Sequence, residues 1–443
     1  MTIDTTTVTR KLNIPTGYGD LPDGWSWAPL DDLCQGIYDC PHSTPKITQV
    51  GPYIARTQDI SSGIFRTEKA AHVSEETYAE RTRRAIPSPG DLLYSREGTY
   101  FGIAAEVPKK TQVCLGQRMV LIRPDRKRVD FRFLRYWLNS PLMAAHIHGF
   151  RDGSVAERLN LPTIRSLPVL SPPTFEQRAI ADVLGGLDDK IAVNDRITLI
   201  AELLGRAHFE GHFAEALQKI ANGTTLPVGW SVATLGETTE ILETGKRPKG
   251  GVAGYAKGVP SIGAESIIRM AQFDFSKAKY VPEDFFTSMK RGIVRDRDIL
   301  VYKDGGKPGD FKPHVSMFGD GFPFDRMCIN EHVYRIRMKT ELGQAFGYYW
   351  LSSGPIMDEM RTRGTGAAIP GINSTAVKGI PVVEPPLDRI AEFNATVSPL
   401  ISKAFQAASE SHTLVALRDT LLPQLMSGRL RIRDAEQIVE DAL

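Results

Sequence analysis

Leu21-Pro22-Asp23-Gly24-Trp25 returns as Leu226-Pro227-Val228-Gly229-Trp230. Four further blocks follow in the same order. Gly90-Asp91-Leu92-Leu93-Tyr94-Ser95-Arg96-Glu97-Gly98 returns as Arg297-Asp298-Ile299-Leu300-Val301-Tyr302-Lys303-Asp304-Gly305. Cys114–Arg123 aligns with Cys328–Arg337, and Tyr136-Trp137-Leu138-Asn139-Ser140 answers Tyr349-Trp350-Leu351-Ser352-Ser353. Asn160, Leu167-Pro168-Val169 and Pro172-Pro173 match Asn373, Ile380-Pro381-Val382 and Pro385-Pro386. The offset drifts only from 205 (21 to 226) to 214 (114 to 328). One pentapeptide recurs by chance easily; five collinear blocks do not. The chain is an internal duplication.

The matched blocks are structural punctuation. Leu-Pro-x-Gly-Trp reads as a turn feeding a strand, and Asp-Leu-Leu-Tyr-Ser and Asp-Ile-Leu-Val-Tyr as short apolar strands. Each strand runs into charged residues and a glycine, the signal of a tight loop. Residues 131–144 and 343–360 read as helices, and Trp25, Trp137, Trp230 and Trp350, repeating in phase, as core. Between blocks the halves diverge, so each half is one mixed domain carrying different loops.

Each half ends in a long helical pattern entered at a proline pair. Ile390, Phe393, Val397, Leu400, Ala404, Ala407, Leu414, Leu421 and Leu425 make a heptad seam, with Ser411 and Arg418 as polar exceptions. Ile180, Leu184, Leu187 and Ile191 do the same in the first half. Asn194 takes the next seam position, and Ile197, Ile200 and Leu204 resume one residue out of phase. This predicts a coiled coil, with Asn194 as a register-setter and Pro399 as a kink or delayed start. Helices of about 40 residues span about 60 Å. Antiparallel pairing between them would bury both seams, hold the mixed domains at opposite ends about a pseudo-twofold axis, and fix their spacing.

The expected fold class is therefore α+β. It comprises a tail (1–20), a first mixed domain (21–173), a central helix (174–222), a second mixed domain (223–386), a terminal helix (387–430) and a tail (431–443). The length, 443 residues, suits two to four domains. Net charge is +2 and pI near 8.2, which permits nucleic-acid binding without demanding it. Four cysteines make no disulfide scaffold. Cys34-x5-Cys40-x-His42 matches no common zinc spacing, so no metal is expected. The N-terminus lacks the apolar region of a signal peptide, and no stretch is long enough to span a membrane. The expectation is a cytoplasmic protein.

Taken together, the Leu-Pro-x-Gly-Trp starts, the Gly-Asp-Leu-Leu-Tyr-Ser-Arg-Glu-Gly block, Pro172-Pro-Thr-Phe-Glu-Gln-Arg-Ala-Ile180 and Leu417-Arg-Asp-Thr-Leu-Leu-Pro-Gln-Leu-Met-Ser-Gly428 resemble the specificity subunits of type I restriction–modification systems. The resemblance runs from Leu21 to about Ile432. It implies two target-recognition domains, each reading half of a split DNA site with a fixed gap. It also implies two methyltransferase subunits and motor-nuclease subunits as partners, which would carry S-adenosylmethionine and ATP with magnesium. This chain itself is expected to bind no cofactor.

The sequence nominates no catalytic centre. An amino-methyltransferase needs Asn or Asp before Pro-Pro-aromatic; the chain has Ser171-Pro172-Pro173-Thr174 and Glu384-Pro385-Pro386-Leu387. There is no Gly-x4-Gly-Lys-Ser/Thr loop, and Gly364-Thr-Gly366 opens an incomplete dinucleotide fingerprint. Asp188-Asp189-Lys190 resembles a nuclease triplet only superficially and reads as a solvated helix face. The rival functions are a coiled-coil scaffold without sequence reading and a self-sufficient methyltransferase–nuclease.

DNA contact requires Arg, Lys and polar side chains on reachable loops. In the first half the candidates are Arg56, Gln58, Arg81, Arg83, Arg84, Arg96, Glu97, Thr99, Tyr100 and Arg151. In the second they are Lys246, Arg247, Lys249, Glu265, Lys303, Asp304, Lys307 and Arg363. The loop at Arg96 and its counterpart at Lys303 is the leading pair.

Overall fold

The computed structural model describes residues 12–16, 21–61, 63–98, 100–148, 158–366 and 370–442. Most of the expected N-terminal tail, 1–11 and 17–20, lies outside the described residues. The chain divides into two units: 1–189 with 415–443, and 190–414.

In the first unit, apolar runs make an antiparallel four-stranded sheet. Its order is Cys34–Asp39, Met119–Pro124, Leu92–Ser95, Ala104–Glu106. Leu92–Ser95 is buried throughout, which is why it reads as a continuous apolar run rather than an alternating one. Beside it, Thr48–Ala55 pairs antiparallel with Ala71–His72 and parallel with Val113–Leu115. Ser26–Pro29 pairs with Pro168–Ser171, closing the start of the domain on its end.

The second unit repeats this plan strand for strand. Its sheet runs Thr239–Thr244, Val333–Met338, Ile299–Tyr302, Val315–Met317. Val259–Ile262 pairs antiparallel with Tyr280–Val281 and parallel with Cys328–Ile329. Ser231–Thr234 pairs with Pro381–Glu384.

Repeated residues make repeated contacts. Trp137 and Trp350 are fully buried, and each indole N–H donates to a proline carbonyl 2.9 Å away, Pro168 and Pro381. Asn160 and Asn373 each cap a short helix. Gly24 and Gly229 take φ of +82° and +84°, a turn that disfavours any other residue. Trp25 and Trp230 are only half-buried, not core as expected; Trp25 donates its indole N–H to Glu176. The two expected helices are also each broken: Phe131–Leu138 is followed by Pro141–His148, and Gln344–Leu351 by Gly354–Arg363. Pro141 and Pro355 fit it, since each sits in the first turn of the second helix and lacks the N–H that would continue the first one.

The long helices are Thr174–Ala221 and Leu387–Met426. Within the second unit they are antiparallel: Asn194 meets Glu410, Thr198 meets Ala404, and Phe209 meets Phe393. Two expectations fail here. Pro399 does not interrupt its helix; Pro399 and Ala395 both face solvent, where water can satisfy the carbonyl that proline leaves without a donor. The first seam does not slip phase after Asn194. It continues through Thr198, Ala201 and Gly205 to Phe209, while Ile200 and Leu204 are exposed. Small and polar residues hold the seam there because the recognition domain comes close: a Cβ on Gly205 would sit 2.0 Å from the Tyr349 hydroxyl. Residues 432–442, expected as tail, form a helix, Ile432–Ala442. Among the described residues no helix is long and apolar enough to cross a membrane.

Candidate nucleic-acid interface

In each unit the loop leaving the central strand is tied down by the same two backbone bonds. In the first, Arg96 N–H donates to the Arg118 carbonyl at 2.9 Å, and Leu159 N–H donates to the Arg96 carbonyl at 2.8 Å. In the second, Lys303 N–H donates to the His332 carbonyl at 2.9 Å, and Ile372 N–H to the Lys303 carbonyl at 2.9 Å. The frame is the same, and what it displays is not.

The first unit displays Glu97 against Arg118, 3.3 Å apart, with Tyr100 exposed nearby in sequence. Arg96 is mostly withdrawn: Asp39 takes its guanidinium with both oxygens at 2.8 Å. Arg56 grips the buried Asp59 through Nε and Nη2 at 2.7 and 2.9 Å, leaving Gln58 exposed beside it. Arg83 and Arg84 are exposed. Arg81 corrects the expectation of a surface arginine cluster: it is buried and donates to the carbonyls of Leu115, Ser43 and Pro41. Its role is to fasten the 41–43 loop to the end of the strand Val113–Leu115. Thr99 and Arg151 lie outside the described residues.

The second unit displays a chain of charges. Lys303 meets Asp304 at 3.1 Å, and Asp304 meets His332 Nδ1 at 3.0 Å. His332 Nε2 lies 3.5 Å from Glu331, which also pairs with Arg247 at 2.5 Å. Lys246, Lys249 and Lys307 are exposed, Lys307 on the hairpin of Gly306–Lys307 with Asp310–Phe311. Glu265 is paired with Lys279; burial raises its carboxyl, but the Lys279 hydrogen bond, a backbone hydrogen bond and the charge of Lys279 together outweigh burial and the net shift is downward. Arg363 is held by Glu359 and the Ala376 carbonyl.

Asp188 is no solvated helix residue. It accepts from the Tyr136 hydroxyl at 2.5 Å and from Arg418 at 2.8 Å, so the seam exception Arg418 is an ion-pair partner. Thr365 and Gly371 exchange backbone hydrogen bonds of 2.8 Å, closing a loop around the incomplete glycine motif, of which 367–369 lie outside the described residues. The cysteines are free thiols; burial, helped by Asp31 and Asp125, pushes Cys34 up to about 12.

Arg118, His332, Asp39 and Glu331 are not among the residues nominated from sequence. Arg118 and His332 do carry a signal: they face each other as a mismatch inside the matched blocks Cys114–Arg123 and Cys328–Arg337.

Residues 22–203 match the family model of the type I restriction modification DNA specificity domain. The MjaIX specificity subunit of a type I restriction enzyme from Methanocaldococcus jannaschii is 21% identical over 432 residues, covering 95% of this chain and 96% of that one. The StySPI specificity subunit from Salmonella potsdam is 22% identical, over 93% of this chain and 90% of its own. The chain is thus similar, over nearly its whole length, to specificity subunits of type I restriction enzymes. The crystal structure of the type I restriction–modification S subunit from M. genitalium shares the fold, with a TM-score of 0.55 at 16% identity; it covers 94% of this chain and 97% of that one.

Proposed function

We propose that this chain is a specificity subunit that reads a split DNA target, one half with each unit, and directs methyltransferase and restriction subunits to it. The observation that carries the reading is the repeated frame bond, Arg96 to Arg118 and Lys303 to His332, set beneath different side chains. Two copies of one scaffold with divergent loops are suited to two different targets at a fixed separation. Phosphate contacts would come from exposed cations such as Arg83, Arg84, Lys246, Lys249 and Lys307, and base contacts from the strand-end loops. Methyl transfer, with S-adenosylmethionine, and ATP-driven restriction belong to the partners in this reading.

An exposed apolar stripe on the central helix supports protein partners. Val193, Ile200, Leu203 and Leu204 are 51%, 47%, 55% and 46% exposed on a helix whose opposite face is buried. Such a stripe suits packing of a partner helix.

The test is to co-express the chain with the methyltransferase encoded beside its gene and map methylated adenines by single-molecule sequencing. A split motif with a constant gap, lost when this chain is deleted, is the expected result. Methylation that persists unchanged without the chain, or a single contiguous site, would overturn the reading in favour of a scaffold.

A further inference from the structure

The two units place an acid–base couple at the same position on the same frame. Arg118 and His332 both lie in the turn entering the strand that pairs with the central strand, and both give their carbonyl to the loop opposite. Glu97 and Asp304 both follow the residue that makes that bond. The couples are Glu97–Arg118 at 3.3 Å and Asp304–His332 at 3.0 Å. All four side chains remain accessible: Arg118 is 56% exposed, Glu97 24%, His332 40% and Asp304 23%. An ion pair kept for stability would be buried or kept identical. These are neither, while the structural pair behind them is retained: Asp91–Arg123 and Asp298–Arg337 each stand at 2.7 Å.

Resting on the two-reader function above, we infer that Glu97–Arg118 and Asp304–His332 are the base-reading couples of the first and second half-sites. The chemistry fits a base-pair edge. In the major groove guanine offers two acceptors, O6 and N7, and its cytosine one donor, N4. An arginine with two parallel N–H groups answers the guanine, and an adjacent carboxylate answers the cytosine. Glu97–Arg118 is therefore assigned to a G·C pair in the first half-site. Asp304 brings an acceptor for an amino group of cytosine or adenine, and His332 a ring nitrogen for its neighbour. Because each acid already holds its partner in place, less side-chain freedom is lost on binding.

The test uses the complex of this chain with its methyltransferase. Affinities are measured for the cognate duplex and for duplexes substituted one base pair at a time. Arg118→Ala should abolish discrimination, about 5- to 150-fold for one bidentate contact, at a single G·C position of one half-site. The other half-site should be read as before, which shows the chain is folded. Arg118→Lys should fail likewise, since lysine keeps the charge but not the paired donors. His332→Ala should relax one position of the other half-site only. An equal loss on every duplex, with the ratios intact, would mark these residues as phosphate contacts and overturn the assignment. Ratios and affinities both unchanged would overturn it too. If the unmodified complex shows no split site, it is the functional reading that fails, not the assignment within it.

Discussion

One guanidinium nitrogen of Arg96, Nη1, lies 2.8 Å from both carboxylate oxygens of Asp39. The two side chains are 13% and 18% exposed, so this is a sheltered pair between the end of strand Cys34–Asp39 and the loop after Leu92–Ser95 rather than a cation waiting on the surface. Arg96 thus positions the frame, and Arg118 presents the donors.

Arg96→Ala should therefore leave the salt dependence of DNA binding unchanged while lowering stability by about 1–3 kcal/mol, the range for a charged hydrogen bond. The checks are the slope of log affinity against log salt and denaturant unfolding. Each phosphate contact contributes close to one to that slope. A decrease of about one would mean that Arg96 leaves Asp39 for a phosphate when DNA arrives.

The duplication, the long helices and the strand-end loops are legible in the sequence because they rest on local pattern: repeated blocks, heptads, glycine after strands. The partners of charged side chains are not. Arg81, Arg83 and Arg84 look alike in sequence, yet Arg81 is buried on three carbonyls and the other two are exposed. The difference arises from the loop at 41–43 and the strand end at 115, which lie far away along the chain. The seam after Asn194 misleads for a related reason. Ile200 and Leu204 are more apolar than Thr198, Ala201 and Gly205, and apolarity alone selects the wrong face. Space beside Tyr349 decides instead in favour of the small residues.

Asp298 is fully buried and accepts the Arg295 N–H at 2.8 Å while pairing with both Arg335 and Arg337. Asp298→Asn keeps the shape and removes the charge, leaving the buried Arg335 with Glu243 alone of its two carboxylates and taking the carboxylate from Arg337 as well. Breaking a buried pair from one side costs about 3–5 kcal/mol. In a unit of this size that is about 6–20 °C in the unfolding midpoint. Asp91→Asn should cost less, because Arg123 is 26% exposed and can turn to water. Calorimetry on the two variants checks the order; an Asp91 effect as large as that of Asp298 would refute the argument from burial.

Asn194 is 1% exposed in the helix seam and donates its amide N–H to Glu410 at 2.9 Å, and Lys190 approaches the other Glu410 oxygen at 3.2 Å. Glu410→Ala should cost about 1–3 kcal/mol, because it strands a buried amide. Lys190→Ala should cost less than about 1 kcal/mol, as for other exposed pairs. Asn194→Leu should stabilise the helix pair, since a seam asparagine trades stability for register. Denaturation of the three variants ranks them. A destabilised Asn194→Leu would show that the seam has no room for an apolar side chain there.

Burial holds the thiols protonated: Cys34 is pushed up to about 12, and Cys114 and Cys328 to about 11. The unfolded thiols ionise near the ordinary value of 9.0. The folded state thus keeps protons that the unfolded state loses. This contribution is complete below about pH 8.5 and disappears as pH rises toward the folded values. Two outcomes follow. Iodoacetamide at pH 8 should label these three cysteines slowly in the native chain and quickly in denaturant, because only the thiolate attacks. Stability should fall between pH 9 and 11 by more than in a variant with Cys34, Cys114 and Cys328 changed to Ala or Val. Mass spectrometry of the labelled chain and denaturation at pH 8 and 10.5 give both answers. Rapid native labelling of Cys114 or Cys328 would mean that the strands carrying them open readily, and the packing ascribed to both recognition units would be wrong.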